Sequence, residues 1–109
     1  MPADYSRLID AETRGFIRET EAHYPPVEVT LDMEGQRRVY DAMCRAFYRG
    51  RPAGLAVEDR DMGGVPCRIY MPATPRATVV YFHGGGFVVG GLDSHDDVCA
   101  EICNGAGID

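Results

Sequence analysis

The feature that most constrains the fold is a short apolar run that leads directly into a glycine loop. Thr78 to Phe82 reads Thr-Val-Val-Tyr-Phe, so every residue of this run is β-branched or aromatic. A continuous apolar run of this kind is typical of a parallel strand that is covered on both faces. His83 follows it, and then three glycines, Gly84 to Gly86. The pattern predicts a buried strand that ends in a sharp and permissive turn.

The glycine loop can bring backbone N–H groups to places where a side chain would not fit. Residues without a Cβ atom adopt positive φ at little cost and let the backbone approach a ligand closely. N–H groups held toward one point stabilise a developing negative charge, which is how an oxyanion hole assists acyl transfer. The alternative interpretation is a glycine-rich loop that only makes a tight turn.

The loop and the residues behind it resemble a known family. His83-Gly84-Gly85-Gly86-Phe87, followed by Gly90-Gly91-Leu92-Asp93-Ser94-His95-Asp96, is similar to the hormone-sensitive-lipase-like family of α/β-hydrolases, and within it to bacterial acetyl esterases. The similarity extends well over residues 30 to 109 and loosely over the residues before them. An HGGG-type loop supplies one oxyanion N–H in lipases and esterases of this fold. The resemblance implies an α/β fold, of which this chain is the amino-terminal part.

The resemblance also implies roles within the loop. The N–H groups of Gly85 and Gly86 would donate to the substrate oxyanion, and a third N–H would come from the residue after a catalytic serine. Gly84 would supply backbone freedom, and Phe87 would pack beneath the loop or line the acyl pocket. His83 is expected to hold the shape of the loop through hydrogen bonds.

No catalytic triad is expected in this chain. The serine of this fold lies on a Gly-x-Ser-x-Gly elbow and is followed in the chain by an acid and then a histidine. Ser6 and Ser94 are the only serines, and neither has that glycine pattern, so both are interpreted as structural. His83 stands too early to be the triad base, His95 should pack near a helix start, and His23 should be solvated. Catalysis would therefore need the remainder of the hydrolase domain.

Length and composition agree with this interpretation. The chain has 109 residues, whereas α/β folds of this kind have roughly 200–250 or more, so we expect the amino-terminal part of a larger protein. The formal net charge of −6 argues against a nucleic-acid partner, which would select a basic patch. The sequence lacks an apolar run of about 18 residues and the pattern of a signal peptide, so no membrane association is predicted and the cytoplasm is the expected location.

The sequence predicts neither a metal site nor a cofactor. His95, Cys99 and Cys103 are spaced four residues apart and would share one face of a helix. One helical turn rises about 5.4 Å, which puts the outer two side chains about 12 Å apart along the axis. They cannot all bind one zinc ion at roughly 2.0–2.3 Å. Small, reduced, structural thiols are the preferred interpretation, as is usual in the cytoplasm.

Residues 1–50 are predicted to form a helical cap segment. A surface helix is expected from about Tyr5 to Ala22, and a second helix from near Leu31, with Thr30 or Asp32 as its N-cap. Gly50 would close the second helix. Its apolar residues recur with the helical period: Val39, Ala42, Met43, Ala46 and Phe47. By resemblance this segment is a mobile cap over the active site; the alternative is a packing helix with no effect on substrate.

Residues 51–109 are predicted to form the first strands, the oxyanion loop and the first helix of an incomplete α/β-hydrolase domain. Leu55 to Met62 and Val65 to Met71 flank Gly63-Gly64, which predicts a β-hairpin. In its second strand the alternation places Cys67, Ile69 and Met71 on the buried face, with Arg68 and Tyr70 on the wet face.

The helix after the loop should open at Asp93 to Asp97 and end at Asn104-Gly105. Asp93 or Ser94 is expected to cap it. Its inward side is predicted to carry Val98, Ile102, Cys99 and Cys103. Ile108-Asp109 would start the next parallel strand, and the elements that cover Thr78 to Phe82 are expected beyond Asp109.

Two classes of function fit these observations. The first is a carboxylic-ester hydrolase with a serine nucleophile, acting on a small-molecule ester with a short acyl group, for which this chain supplies the oxyanion loop and part of the cap. The second is a non-catalytic ligand-binding protein on the same scaffold, as in the plant gibberellin receptors that resemble this family, or an inactive fragment. The sequence contains no feature that predicts an oligomeric state.

Overall fold

The computed structural model describes residues 4–107, so the strand predicted to start at Ile108-Asp109 lies outside the described residues. Three helices and one hairpin follow one another along the chain. Their bounds are α1 Ala11–Glu21, α2 Met33–Phe47, β1 Ala56–Met62, β2 Val65–Met71 and α3 Asp96–Ala106. Among the described residues, no helix is both long enough and apolar enough to cross a bilayer.

The first two helices begin at aspartate caps. The carboxylate of Asp10 accepts a hydrogen bond from the Thr13 N–H at 2.7 Å, and that of Asp32 accepts one from the Gly35 N–H at 2.7 Å. Each bond satisfies a backbone donor that the helix itself leaves without a partner. Asp32, rather than Thr30, is therefore the cap of α2. The first helix is shorter than predicted, because the Asp10 cap fixes its start well after Tyr5.

The hairpin matches the prediction. β1 and β2 pair antiparallel from Ala56↔Met71 to Met62↔Val65, and Gly63-Gly64 forms the connection. Both glycines have positive φ, 68° and 89°, which a two-residue turn with the twist of a hairpin requires. The Asp61 carboxylate accepts a hydrogen bond from the Gly64 N–H at 2.8 Å and supports the turn.

The predicted faces of β2 are wrong. Tyr70 is 8% exposed and the Arg68 side chain 10% exposed, whereas Met71 is exposed. The reason is a carboxylate, Asp96, which lies beneath the sheet and binds both polar side chains. A buried charge needs several hydrogen-bond partners, and that requirement overrides the simple alternation of apolar and polar residues.

α3 also differs from its prediction at both ends and on its inner face. It starts at Asp96 after His95, without a side-chain cap, and it runs through Asn104 and Gly105 to Ala106. Gly107, with a left-handed φ of 65°, closes it as a C-terminal glycine. The buried residues of α3 are Asp96, Ala100 and Cys103, and Cys99 is half-buried, while Val98 and Ile102 are each 42% exposed.

The buried core is small. Tyr70, Ala100 and Cys103 form it, with Leu55, Val57 and Cys99 packed against it. Residues 78–82 do not form the buried strand that was predicted: β1 and β2 make up the described sheet, and Val80 and Phe82 are 74% and 86% exposed. The described chain has no layers that could cover both faces of this run.

Candidate active site

The glycine loop after residue 82 has an unusual backbone. Gly85, Gly86 and Gly90 have positive φ, at 134°, 61° and 97°. Phe87 also has positive φ, at 61°, and is the one non-glycine residue with this conformation in the described chain. A left-handed conformation is costly for a bulky residue and marks a segment held in place by its surroundings.

Close contacts explain why two of these positions are glycine. A Cβ atom on Gly85 would overlap the carbonyl oxygen of Val89, and one on Gly90 would lie 2.7 Å from Nδ1 of His83. Gly84, which was expected to supply the backbone freedom, has neither positive φ nor any atom within 4 Å of such a Cβ. In the structure the freedom of glycine is used at Gly85, Gly86 and Gly90 instead.

The loop closes on the carbonyl oxygen of Gly85. The N–H groups of Val88 and Val89 both donate to it, each at 3.1 Å. This carbonyl and the N–H of Gly86 belong to one peptide unit, which is planar and trans, so the two groups point in opposite directions. Fixing the oxygen inside the turn therefore directs the Gly86 N–H outward. Within the described residues, neither the Gly85 N–H nor the Gly86 N–H donates a hydrogen bond.

Helix α2 contacts the same loop. Nε of Arg37 donates to the carbonyl oxygen of Val88 at 2.6 Å, across 51 positions of sequence. This bond joins the predicted cap segment to the glycine loop. Nothing in the sequence signals it, because Arg37 is one of several charged residues on an exposed helical face.

His83 begins the loop and contacts both it and α3. Its Nδ1 lies 2.7 Å from the carbonyl oxygen of Gly84, and since a carbonyl only accepts, this contact requires the proton on Nδ1. The ring stacks on His95 with centroids 5.1 Å apart. Tyr40 and Tyr81 flank His95 at 6.3 and 6.4 Å. Burial, and then the neighbouring His83, lower the pKa of His95, which favours its neutral form.

The two serines and Phe87 are not arranged as a catalytic group. Ser94 is buried and closes a tight turn with Gly91, accepting from its N–H at 2.8 Å and approaching its carbonyl oxygen at 3.1 Å. Ser6 is exposed near the start of the chain. Phe87 is fully exposed, so it does not pack beneath the loop, the first of its two expected positions. Within residues 4–107, no group of His, Cys, Asp and Glu side chains is placed to hold a metal ion.

Sequence reasoning missed a buried carboxylate at the start of α3. Asp96 is 3% exposed and accepts hydrogen bonds from Tyr70 at 2.6 Å, Tyr48 at 2.8 Å, Arg51 at 3.0 and 3.2 Å and Arg68 at 3.0 Å. Burial alone would raise its pKa, but the bonds from Arg51, Tyr70 and Tyr48 outweigh it and hold the pKa of Asp96 far below its usual range. Asp96 thus ties α3 to β2 and to the end of α2.

An apolar groove of about 440 Å³ lies between the segment after α1, helix α2 and the loop. Its lining is mostly apolar and aromatic, and Val89 of the loop forms one side of it. The lining residues are Tyr24, Pro25, Pro26, Val27, Val29, Leu31, Gln36, Tyr40 and Val89.

Comparisons with known sequences find related proteins. The sequence profile of an α/β-hydrolase fold family matches residues 79–109. The acetyl esterase of Salmonella agona is 32% identical over an alignment of 114 positions, which covers 95% of this chain and 35% of that protein. The ethyl acetate hydrolase of Pseudomonas putida is 42% identical over 59 residues, 50% of this chain and 19% of that protein.

Solved structures show the same architecture. An esterase from the bacterial hormone-sensitive lipase family superposes with a TM-score of 0.74 at 22% identity, over 92% of this chain and 33% of that one. An esterase/lipase from an uncultured bacterium gives a TM-score of 0.67 at 18% identity, over 92% and 33%. At these identities the structures establish the fold. The chain spans about a third or less of the length of the relatives that it matches.

Proposed function

We propose that this chain is the amino-terminal part of a hormone-sensitive-lipase-like α/β-hydrolase and that it supplies the oxyanion loop of a carboxylic-ester hydrolase. The substrate would be a small ester with a short acyl group, attacked by a serine carried elsewhere on a longer polypeptide. No cofactor takes part in this proposal.

The observation that carries the proposal is the Gly85–Gly86 peptide. Its carbonyl oxygen is held by two N–H groups inside the turn, and its N–H points out of the turn with no acceptor among the described residues. When a serine attacks an ester, the carbonyl oxygen gains a negative charge that such a preorganised donor stabilises. One donor of this kind typically contributes about 10²–10³ in kcat. The Gly85 N–H is the second donor in the proposal.

The names of the known relatives support a substrate with a short acyl group. The matched proteins include an acetyl esterase and an ethyl acetate hydrolase, whose names both specify a two-carbon acyl group. The groove beside Val89 is mostly apolar and adjoins the loop, as an acyl or alcohol group would require. In this proposal residues 1–50 form part of the cap. Phe87, which is exposed and does not line this groove, belongs to an acyl pocket that the remainder of the hydrolase domain completes.

The cysteines support a cytoplasmic location for this activity. Cys44, Cys67, Cys99 and Cys103 are all free thiols. Disulfides are rare in cytosolic proteins and common in exported ones. The proposed reaction itself requires two partners, the ester substrate and the remainder of the hydrolase domain.

The test is an esterase assay on the purified complete polypeptide that contains this chain. We expect p-nitrophenyl acetate and butyrate to be hydrolysed much faster than long-chain esters, without added metal. A matched sample treated with a serine-directed fluorophosphonate should lose the activity. A protein that is folded and binds small esters, yet hydrolyses none of them, would contradict the proposal and favour the ligand-binding alternative.

A further inference from the structure

We propose that Arg37 is a positioning residue for the oxyanion hole, acting on the Gly86 N–H through two consecutive backbone peptides. The inference rests on the proposed function, because it assigns the supporting contact of the same site. It concerns a residue of helix α2 that lies far from the glycine loop in sequence.

The first step is the contact between the guanidinium and the loop. Nε of Arg37 donates to the Val88 carbonyl oxygen at 2.6 Å, shorter than a typical N–H···O bond. Hydrogen bonds from an ionised donor are roughly twice as strong as neutral ones. Within residues 4–107 Arg37 forms no ion pair, so no carboxylate competes for its charge.

The second step follows the peptide bonds. The Val88 carbonyl and the Val89 N–H belong to one planar peptide, so a donor on the oxygen fixes the direction of the N–H. That N–H donates to the Gly85 carbonyl oxygen at 3.1 Å. The Gly85 carbonyl in turn shares a peptide with the Gly86 N–H. Arg37 therefore begins a chain of hydrogen bonds that ends at the donor facing the oxyanion.

This series of hydrogen bonds affects both the direction of the Gly86 N–H and its strength as a donor. Consecutive hydrogen bonds polarise one another, so the positive guanidinium bonded to the Val88 oxygen makes the Val89 and Gly86 N–H groups better donors. The same contact makes the loop geometry depend on α2, because the hole is fully arranged only when that helix is seated. Removal of Arg37 leaves both glycines in place but takes away the constraint on their peptide.

The experiment compares Arg37→Ala with Arg38→Ala in the complete polypeptide. Arg38 is a matched control: it is the next residue of α2, its side chain is 71% exposed, and its ion pair with Glu34 at 3.8 Å is on the helix surface. We expect Arg37→Ala to lower kcat about 10-fold with little change in KM, less than the ~10²–10³ of a lost donor. Arg38→Ala should stay within about twofold of the parent, since surface substitutions away from such contacts change little.

Two readouts separate positioning from a general structural effect. The affinity of an alkyl trifluoromethyl ketone, which forms a tetrahedral oxyanion with the serine, should fall with kcat in Arg37→Ala, while the affinity of the neutral alcohol product stays unchanged. Arg37→Lys should recover part of kcat because it restores a cationic donor. Equal kcat in the two alanine variants, or a loss found only in KM, would overturn the inference.

The backbone amides provide a measurement that does not depend on turnover. In ¹⁵N-labelled protein, Arg37→Ala should shift the amide resonances of Val89 and Gly86, and Arg38→Ala should leave both unchanged. If the parent hydrolyses no ester, the proposed function fails, but these shifts still test the series of hydrogen bonds from Arg37 to the Gly86 peptide. Amide resonances that are the same in all three proteins would overturn the inference that Arg37 positions the Gly86 N–H.

Discussion

Gly85 and Gly86 are adjacent, but the structure requires glycine at them for different reasons. A side chain on Gly85 would collide with the Val89 carbonyl, whereas the space around Gly86 is open and only its φ of 61° is unusual. Substitution at Gly85 should therefore disrupt the loop itself. Substitution at Gly86 should leave the loop near its present shape and hinder the binding of a substrate on its outer side.

Gly86→Val tests the assignment of the oxyanion donor. A Cβ atom at this position would have no atom within 4 Å apart from those of its chain neighbours, so the fold should survive with a backbone cost of about 1–2 kcal/mol for the left-handed conformation. The added side chain would, however, crowd the position where the oxyanion binds. We expect kcat for p-nitrophenyl acetate in the complete polypeptide to fall by ~10² or more.

The control for this variant is Gly91→Ala, at a glycine that has ordinary φ and no atom within 4 Å of an added Cβ. It should retain both kcat and thermal stability. If kcat/KM of Gly86→Val stays within about threefold of the parent, the Gly86 N–H is not an oxyanion donor, because one lost donor costs far more.

At the scale of the elements, the Asp96 carboxylate connects segments that are distant in sequence. Its donors come from the end of α2, from the following loop and from β2. The residues just before it in the chain reach back to the glycine loop, through the His95–His83 stack and the Ser94–Gly91 turn. The loop therefore depends on how firmly the start of α3 is held.

Asp96→Ala should be one of the most destabilising single substitutions in the chain. It leaves the Tyr70 hydroxyl without its buried acceptor, whereas the Arg68 guanidinium, which is 10% exposed, keeps two exposed carboxylates as ion-pair partners. Removing one partner of a buried ion pair typically costs about 3–5 kcal/mol, and the two remaining carboxylates put the expected loss near the lower figure. Urea unfolding of the complete polypeptide should show this loss. Asp97→Asn, at the next position and outside any ion pair of the described residues, is the control: it removes a charge from the first turn of α3 but keeps the oxygen that accepts the Val98 N–H, and should change stability by less than about 1 kcal/mol.

The same carboxylate should make stability depend on pH in acid. The pKa of Asp96 is far lower in the folded chain than the ordinary value of about 3.9. A depressed carboxylate pKa contributes stability above the unfolded pKa, and that stability is lost as pH falls from about 4 toward the folded pKa. The free energy of unfolding of the parent should therefore decrease below pH 4 more steeply than that of Asp96→Asn. Parallel curves for the two proteins would contradict this assignment.

The sequence predicted correctly the elements that residues close to one another in the chain determine. The Gly63-Gly64 hairpin and the Asp32 cap are fixed by residues within a few positions, and both are confirmed. The faces of β2 and the inner side of α3 could not be predicted in this way, because Asp96 lies 26 positions from Tyr70. Alternation of polarity treats Tyr70 as a surface residue, whereas its burial follows from its distant acceptor and from the core that it forms with residues of α3. The Arg37–Val88 contact is hidden for the same reason.

At the scale of the whole molecule, the described chain is extended for its length. The radius of gyration is 17.1 Å, whereas a compact domain of this size has about 13 Å. Large apolar side chains are exposed along residues 78–82 and at Phe87 in the loop, while the core consists of Tyr70, Ala100 and Cys103. The apolar surface that should drive folding is therefore still in contact with solvent.

We predict that the isolated 109-residue chain forms no stable native domain and has no esterase activity. Ordering about 100 residues costs on the order of 100–200 kcal/mol in conformational entropy, which burial of apolar surface normally offsets. The exposed run at residues 78–82 offers that surface, but the described elements do not cover it, and an exposed apolar segment of high β-propensity favours aggregation. Catalysis should be absent because an oxyanion donor without a nucleophile has no acyl transfer to accelerate.

The measurement is a two-dimensional amide spectrum and a thermal melt of the isolated chain, with an esterase assay on the same sample. We expect poorly dispersed resonances and no cooperative transition. Adding a separately produced polypeptide that carries the serine, acid and histidine should restore both dispersion and activity, because it would cover residues 78–82 and supply the nucleophile. Dispersed resonances with a cooperative melt would show that the small core of Tyr70, Ala100 and Cys103 suffices for folding, and turnover by the chain alone would mean that it contains a nucleophile other than an elbow serine.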